Sequence, residues 1–268
     1  MVGEYRVESV GEFLQTVCEI RRGWTQQSRT HFDPWFRGHR VAKYDLTPSL
    51  YRLGLGPHEH SIRRAFHRIG INLVGENLPS DKWAWYFVMQ HHRAPTRLLD
   101  WTDGALMALL FATMPITAGD VKVASDAAVW MLDPWWLNQK TVGKDEIVSS
   151  DSREANRYLS PIERDTALRP LLPVAISPPH LVRRIAVQRG RFTLFGREQL
   201  GLNVVARRRG SRLVKLVIPK AAVKAVRLDL ATAGITETTA FPDLEGLSRE
   251  LVRYFTEPWE KSPGVWDR

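Results

Sequence analysis

Residues 89–112, MQHHRAPTRLLDWTDGALMALLFA, leave the chain little freedom. Ala105 to Ala112 is apolar on every side of a helix, so the helix it predicts is buried all round. Four polar residues in a row, Gln90, His91, His92 and Arg93, stand shortly before it. Pro95 blocks helix continuation and biases Ala94 toward extended backbone. Thr96 to Thr102 then reads as a short strand with Leu98 and Leu99 as its apolar members. Asp103 and Gly104 make a turn in which Asp103 is expected to cap the buried helix. Arg97, Asp100 and the two histidines therefore sit beside a buried element, where polar groups must be paired or functional.

A buried helix needs a core around it. With 268 residues, 44% of them hydrophobic, and ten tryptophans, the chain has material for one large domain or two small ones. No repeat, low-complexity tract or linker divides it. The expected fold is a single α+β domain over 1–268 with a mixed, largely antiparallel sheet. A helical N-terminal region is expected at about 1–95 and a strand-rich core at about 96–255. No apolar run approaches the roughly 20 residues that cross a bilayer. The N-terminal MVGEYRVESV lacks the apolar stretch of a signal peptide, so a cytoplasmic protein without membrane contact is expected. Cys18 stands alone, which excludes an intrachain disulfide and a cysteine zinc cluster. No acidic pair has metal spacing, so no metal is expected, and Gly54-Leu55-Gly56 lacks the Lys of a phosphate loop. The net charge of +9 points to an anionic partner: nucleic acid, a nucleotide phosphate or an acidic protein.

Along the chain, Ser9 and Glu12 form a capping-box pattern, and Phe13, Leu14, Val17 and Ile20 predict a helix over 9–22. Trp35-Phe36-Arg37-Gly38 predicts a short strand ending in a turn. Gly38 allows unusual backbone or close ligand approach. Arg37 suits two roles equally, a grip on phosphate or a bond to loop carbonyls. Ile62, Phe66, Ile69 and Leu73 predict a helix over 58–73 with Arg63, Arg64, His67 and Arg68 on a solvated basic face. Asp81 starts another helix, on which His92 shares a face with Trp85, Val88 and Met89; a histidine there is a satisfied core residue or a base. Ala127 to Leu132 predicts an interior strand. Residues 138–180 read as a long surface excursion with short helices. Strands are expected at Arg183–Gln188, Asn203–Arg207 and Arg212–Ile218, with Arg191–Phe195 extended. Val223, Val226 and Leu230 predict a helix that Gly234 ends, although Val226, Leu228 and Leu230 also fit a strand. Asp243 is expected to cap a last helix.

Three of these stretches, Trp35-Phe36-Arg37-Gly38, MQHHRAPTRLLDW at 89–101 and FPDLEGL at 241–247, resemble the FRG domain family. Gln188, Gly190 and Phe192 look like that family's Gln-x-Gly-x-Phe segment. The resemblance implies a bacterial or phage-linked setting, with members in toxin and antiviral defence contexts. The order of elements also resembles arginine-type ADP-ribosyltransferases. Arg37-Gly38 ends a strand, Leu99 to Thr102 leads into a helix with Ala108 and Phe111, Ala127–Leu132 follows, and Gln188 stands where a catalytic glutamate begins its motif. That similarity implies an ADP-ribosyltransferase-like sheet and NAD as the substrate. It implies Arg37, Gln188, Asp100 and His92 as catalytic residues, and Arg37, Gly38, Trp35, Gln90, Thr102 and Trp101 as NAD-binding ones. Two departures stand out: no hydroxyl triplet occupies the Asp100-Trp101 region, and Gln188 carries no charge. RNA or single-stranded DNA is the expected acceptor, with an antitoxin or defence-system protein as partner. The alternative is a non-catalytic nucleotide- or nucleic-acid-binding module.

Overall fold

The computed structural model describes residues 2–26, 33–74, 78–115, 125–159, 170–177 and 190–256. One eight-stranded sheet runs through them. Its strands are β1 (Gly3–Arg6), β2 (Trp35–His39), β3 (Leu98–Thr102), β4 (Ala127–Leu132), β5 (Val148–Ser149), β6 (Val174–Ser177), β7 (Gly190–Leu194) and β8 (Leu213–Ile218). They lie in the order β1-β8-β4-β2-β3-β7-β6-β5. Only the two edge pairs, β1 with β8 and β5 with β6, are parallel. The fold is therefore the expected mixed α+β class with a mostly antiparallel sheet. The expected division near residue 95 does not hold, because β1 and the interior strand β2 come from the N-terminal part.

The helices are α1 (Val10–Gln26), α2 (Ser49–Arg52), α3 (Glu59–Gly70), α4 (Lys82–His91), α5 (Ala105–Thr113), α6 (Pro134–Thr141), α7 (Arg153–Tyr158), α8 (Leu202–Arg207), α9 (Val223–Thr232), α10 (Glu237–Ala240) and α11 (Leu244–Thr256). Several caps are those expected. Ser9 accepts from the Glu12 N–H, Asp81 from those of Trp83 and Ala84, and Asp243 from that of Gly246. Gly234, at φ +77°, follows α9 as the sequence suggested. Four local expectations fail. The stretch 138–180 is not a surface excursion throughout, since Val174, Ala175 and Ile176 of β6 are wholly buried inside the sheet. Asn203–Arg207 belongs to a helix, α8, whose Asn203 side chain ties it to the Leu46 N–H and to Asp45. Asp103 does not cap α5; Gly104 precedes that helix, and Asp103 pairs with Arg191 at 3.0 Å. Arg63 is not on a solvated face of α3 but buried over the Tyr86 ring. The strand expected at Arg183–Gln188 lies outside the described residues.

Strand alternation sorts the side chains onto two faces. On one, Trp35, Leu99, Trp101, Trp130, Leu132 and Leu213 form a core that crosses β2 and β3 without a break, covered by α6 and α8. On the other face the core is split. One cluster packs α1, α5 and α9 over β8, β4 and β2. A second packs α4 and α7 over β3, β7 and β6. The gap between them falls where β2 meets β3, and those two strands are in register only at Phe36 and Thr102.

Two residues fix that geometry. A Cβ on Gly38 would come within 2.2 Å of the Ala108 carbonyl oxygen and 2.6 Å of the Ala112 nitrogen, so α5 rests backbone to backbone on β2. Arg97 is the largest wholly buried side chain. It donates from Nε to Glu59 at 2.8 Å, from Nη1 to the Phe195 carbonyl and from Nη2 to the Tyr158 carbonyl at 2.6 Å. Tyr86 completes the knot, accepting from the Arg97 N–H and donating to Glu59. Burial disfavours the Arg97 charge, but Glu59 and Tyr86 outweigh it and hold the group above its ordinary pKa. One residue thus joins α3, α4 and α7 to the start of β3.

Gly38→Ala should cost about 3 kcal/mol or more, read as a lowered urea midpoint, because the obstructing atoms are backbone. Arg97→Met alone should cost about 3–5 kcal/mol by removing the charge partner at 2.8 Å from the buried Glu59 carboxylate. Adding Glu59→Leu should recover part of that loss; equal losses in the single and double variants would contradict an ion-pair origin.

Candidate functional site

The gap in the core is open. A cleft of about 270 Å3 lies there, between Phe36 and Gly38 of β2, Asp100 and Thr102 of β3, and Gly190 and Phe192 of β7. Phe87, Gln90 and His91 of α4 face it at i, i+3 and i+4. Phe111, Phe241 and Arg93 complete the wall. The rings form two pairs, Phe87 with Phe192 at 5.0 Å between centroids and Phe111 with Phe241 at 5.9 Å. Phe241 is held there by the FPDLEGL segment. Asp243 caps α11, and Gly246 has no Cβ to strike the Phe241 carbonyl, which lies 1.9 Å from where one would stand.

The polar groups converge on the strand split. Arg37 begins, by alternation, on the face of Trp35 and His39, yet its guanidinium reaches across to β3. Nη1 donates to the Asp100 carbonyl at 2.6 Å and lies 3.8 Å from the carboxylate. A side chain thus satisfies a strand carbonyl where the two backbones part. Nε donates to His39 Nε2 at 3.0 Å. The Asp100 carboxylate accepts from Gln90 Nε2 at 2.7 Å, and Gln90 Oε1 accepts from Thr96. Burial of the cleft floor raises the Asp100 pKa above the ordinary carboxylate value, against the pull of Arg37 and Gln90. The side chain itself remains 56% exposed, facing the cleft, so solvent screening keeps that shift small. Burial likewise lowers the Arg37 pKa, opposed by Asp100.

The structure thus brings Arg37, Gly38, Gln90, Asp100, Trp101 and Thr102 to one cleft. Their roles differ from those expected. Gly38 gives up its side chain to α5 packing. Trp101 lines the cleft edge, but its ring belongs to the opposite core and its Nε1 donates to Thr193. Trp35 lies wholly in that opposite core. Thr102 accepts from the Gly104 N–H in the turn. His92 is exposed and lies past the end of α4; the histidine that lines the cleft is its neighbour His91. Gln188 lies outside the described residues. Sequence reasoning named Phe241, Phe111 and Arg93 only within longer stretches and gave none of them, nor Phe87, a place in the site. The FPDLEGL resemblance was the one available signal for Phe241.

A second, larger hollow of about 920 Å3 lies between α3 and α4, lined by His60, Arg63, Arg64, His67, Arg68 and Lys82. Partial burial and nearby Arg63 lower the Lys82 pKa. It shares α4 with the cleft. Trp85, Tyr86 and Met89 turn to the hollow, and Phe87, Gln90 and His91 turn to the cleft. The cleft is the better candidate for chemistry, since its carboxylate is joined to Gln90 and Arg37 and faces the open space, whereas Asp81, the acid of the hollow, is engaged in capping α4.

A sequence model of the FRG domain family matches residues 33–120. The match holds β2, α4, β3 and α5, which supply most of the cleft. No curated protein and no solved structure matches the chain. No helix among the described residues is long and apolar enough to cross a membrane.

His39 offers a solution test of this geometry. Burial, then the Arg37 charge, depresses its pKa to about 3. An unfolded histidine protonates near 6.5, so the stability linked to His39 is complete above that pH and is lost as pH falls. Between about pH 7.5 and about pH 5.5 the unfolding free energy should drop by about 1.4 kcal/mol from this group. His39→Gln, which keeps an acceptor for Arg37, should lose about that much less over the same range; an unchanged drop would contradict the buried neutral histidine.

Proposed function

We propose that the cleft binds NAD and that the chain transfers its ADP-ribose to an acceptor, with RNA the favoured acceptor. The observation that carries this reading is the convergence of Asp100, Arg37 and Gln90 between two pairs of phenylalanines. Aromatic walls suit a flat heteroaromatic ring. In the reaction, the bond between ribose C1′ and the nicotinamide nitrogen breaks, and nicotinamide leaves neutral with the electron pair. The positive charge left on the ribose is stabilised by the Asp100 carboxylate, which Arg37 and Gln90 hold in place. A nucleophile of the acceptor bonds to C1′ and gives up its proton, for which His91 is the base at hand.

The basic hollow on the far side of α4 supports an acceptor that is a polyanion, because its arginines suit phosphate contacts made without base recognition. Gln188, two residues before β7 in the sequence, is proposed to orient the acceptor. The FRG segment supports a toxin or antiviral effector working in the cytoplasm, restrained by an antitoxin or defence-system partner. A second reading is a non-catalytic nucleotide-binding module. What favours it is that Arg37 and Asp100 are already bonded to each other, to His39 and to Gln90.

Incubation with labelled NAD and a mixture of RNA, DNA and protein separates the two. The transferase reading expects label on one acceptor class and release of nicotinamide, reduced about 100-fold or more in Asp100→Asn. NAD binding by the wild-type protein with no nicotinamide release would reject the enzyme and leave the module.

A further inference from the structure

α4 ends in a Schellman motif, in which the chain closes with one residue in the left-handed conformation. The Arg93 N–H donates to the Gln90 carbonyl at 3.0 Å and the Ala94 N–H to the Met89 carbonyl at 2.9 Å. Glycine is the residue this position favours. Here it is Arg93 at φ +60°, the sole non-glycine with positive φ among the described residues. A strained backbone at a cleft wall points to a side chain kept for its function. The guanidinium does not stand alone. Across the rim, Arg249 lies 5.3 Å from the centre of the Phe241 ring, itself a wall of the cleft. Arg40 follows β2 directly.

The cleft is also short. At about 270 Å3 it falls below the roughly 300–1,000 Å3 of sites that hold drug-sized ligands. A ring and its sugar fit inside, and whatever follows the sugar passes the rim. Arg37 is not placed to receive it, since Nε and Nη1 already bond His39 and the Asp100 carbonyl.

We propose that Arg93, together with Arg40 and Arg249, forms an anion-binding rim that grips the diphosphate of a dinucleotide whose first ring and sugar occupy the cleft. This rests on the nucleotide reading of the cleft and moves the phosphate grip from Arg37 to the rim. Burial lowers the Arg40 pKa, and Arg249 and Arg93 lower it further, so the three guanidinium groups stand close enough to repel, although Arg249 also pairs with Glu245 at 2.5 Å. Each arginine is suited to a forked contact with phosphate oxygens.

The test titrates the full chain with ADP-ribose, nicotinamide mononucleotide and nicotinamide riboside by calorimetry, alongside thermal melts. Arg93→Gly should raise the melting midpoint by relieving the backbone, yet weaken ADP-ribose binding about tenfold or more. Arg249→Gln should weaken it about fivefold or more, and riboside, which has no phosphate, should bind both variants within about twofold of wild type. Affinity for ADP-ribose unchanged in Arg93→Gly, an equal loss for riboside, or no binding of ADP-ribose by the wild-type chain would each overturn the rim. Arginine-dependent binding without nicotinamide release would remove the transferase reading and leave the rim standing.

Discussion

The structure depends on a guanidinium taken completely out of water. Arg97 and Glu59 retain 0% and 3% of their side-chain exposure, a placement that is tolerable only if every donor finds an acceptor. Arg97 finds three, and they belong to three different parts of the chain: α3, the end of α7 and the segment after β7. Because Arg97 immediately precedes β3, this knot sets where β3 begins. Asp100 lies three residues further on. The carboxylate of the cleft is therefore positioned by a charge pair that never meets solvent.

A second constraint works against closure of the sheet. On the side of Trp35 and Trp101 the core crosses β2 and β3 unbroken and holds them together. On the other side α5 is pinned to β2 by the missing Cβ of Gly38, while α4 is pinned to β3 through Tyr86 and Arg97. The two helices are anchored to different strands, and among the described residues nothing apolar fills the space between them. A cleft results from anchoring, and its walls are the residues left at the two cluster edges: Phe111 and Phe241 on one, Phe87 and Phe192 on the other.

Much of this was legible in the sequence, and the rest was hidden for identifiable reasons. The buried helix at 105–112 stood out because no polar residue interrupts it, and Arg97 and Asp100 beside it had to be paired. The partner Glu59 was not visible, because a buried acid on α3 looks like any surface acid until tertiary contacts are known. For the same reason Arg63 read as part of a solvated face. Arg227 interrupts an apolar stripe, and the structure shows why: it donates twice to the Thr113 carbonyl at the end of α5, a contact made across the core. Asn203–Arg207 read as a strand, but Asn203 bonding to Leu46 and Asp45 holds the segment as a helix against the β-propensity of its two valines. Strand alternation puts Trp35 and Arg37 on one face, yet no sequence pattern says which face is filled and which is open. The choice between His91 and His92 turned on where α4 stops, and Pro95 alone does not set that to one residue.

On the proposed reading, the cleft built largely from the segment matching the FRG model takes the ring and sugar of a dinucleotide, with Asp100 beneath them. A crystal structure of the chain with a non-hydrolysable NAD analogue tests this directly. The account predicts the nicotinamide ring between Phe241 and Phe192, a ribose hydroxyl or ring oxygen within hydrogen-bonding reach of Asp100 or Gln90, and the diphosphate at the rim. Density for the analogue in the hollow between α3 and α4, or anywhere that leaves Asp100 untouched, would contradict it.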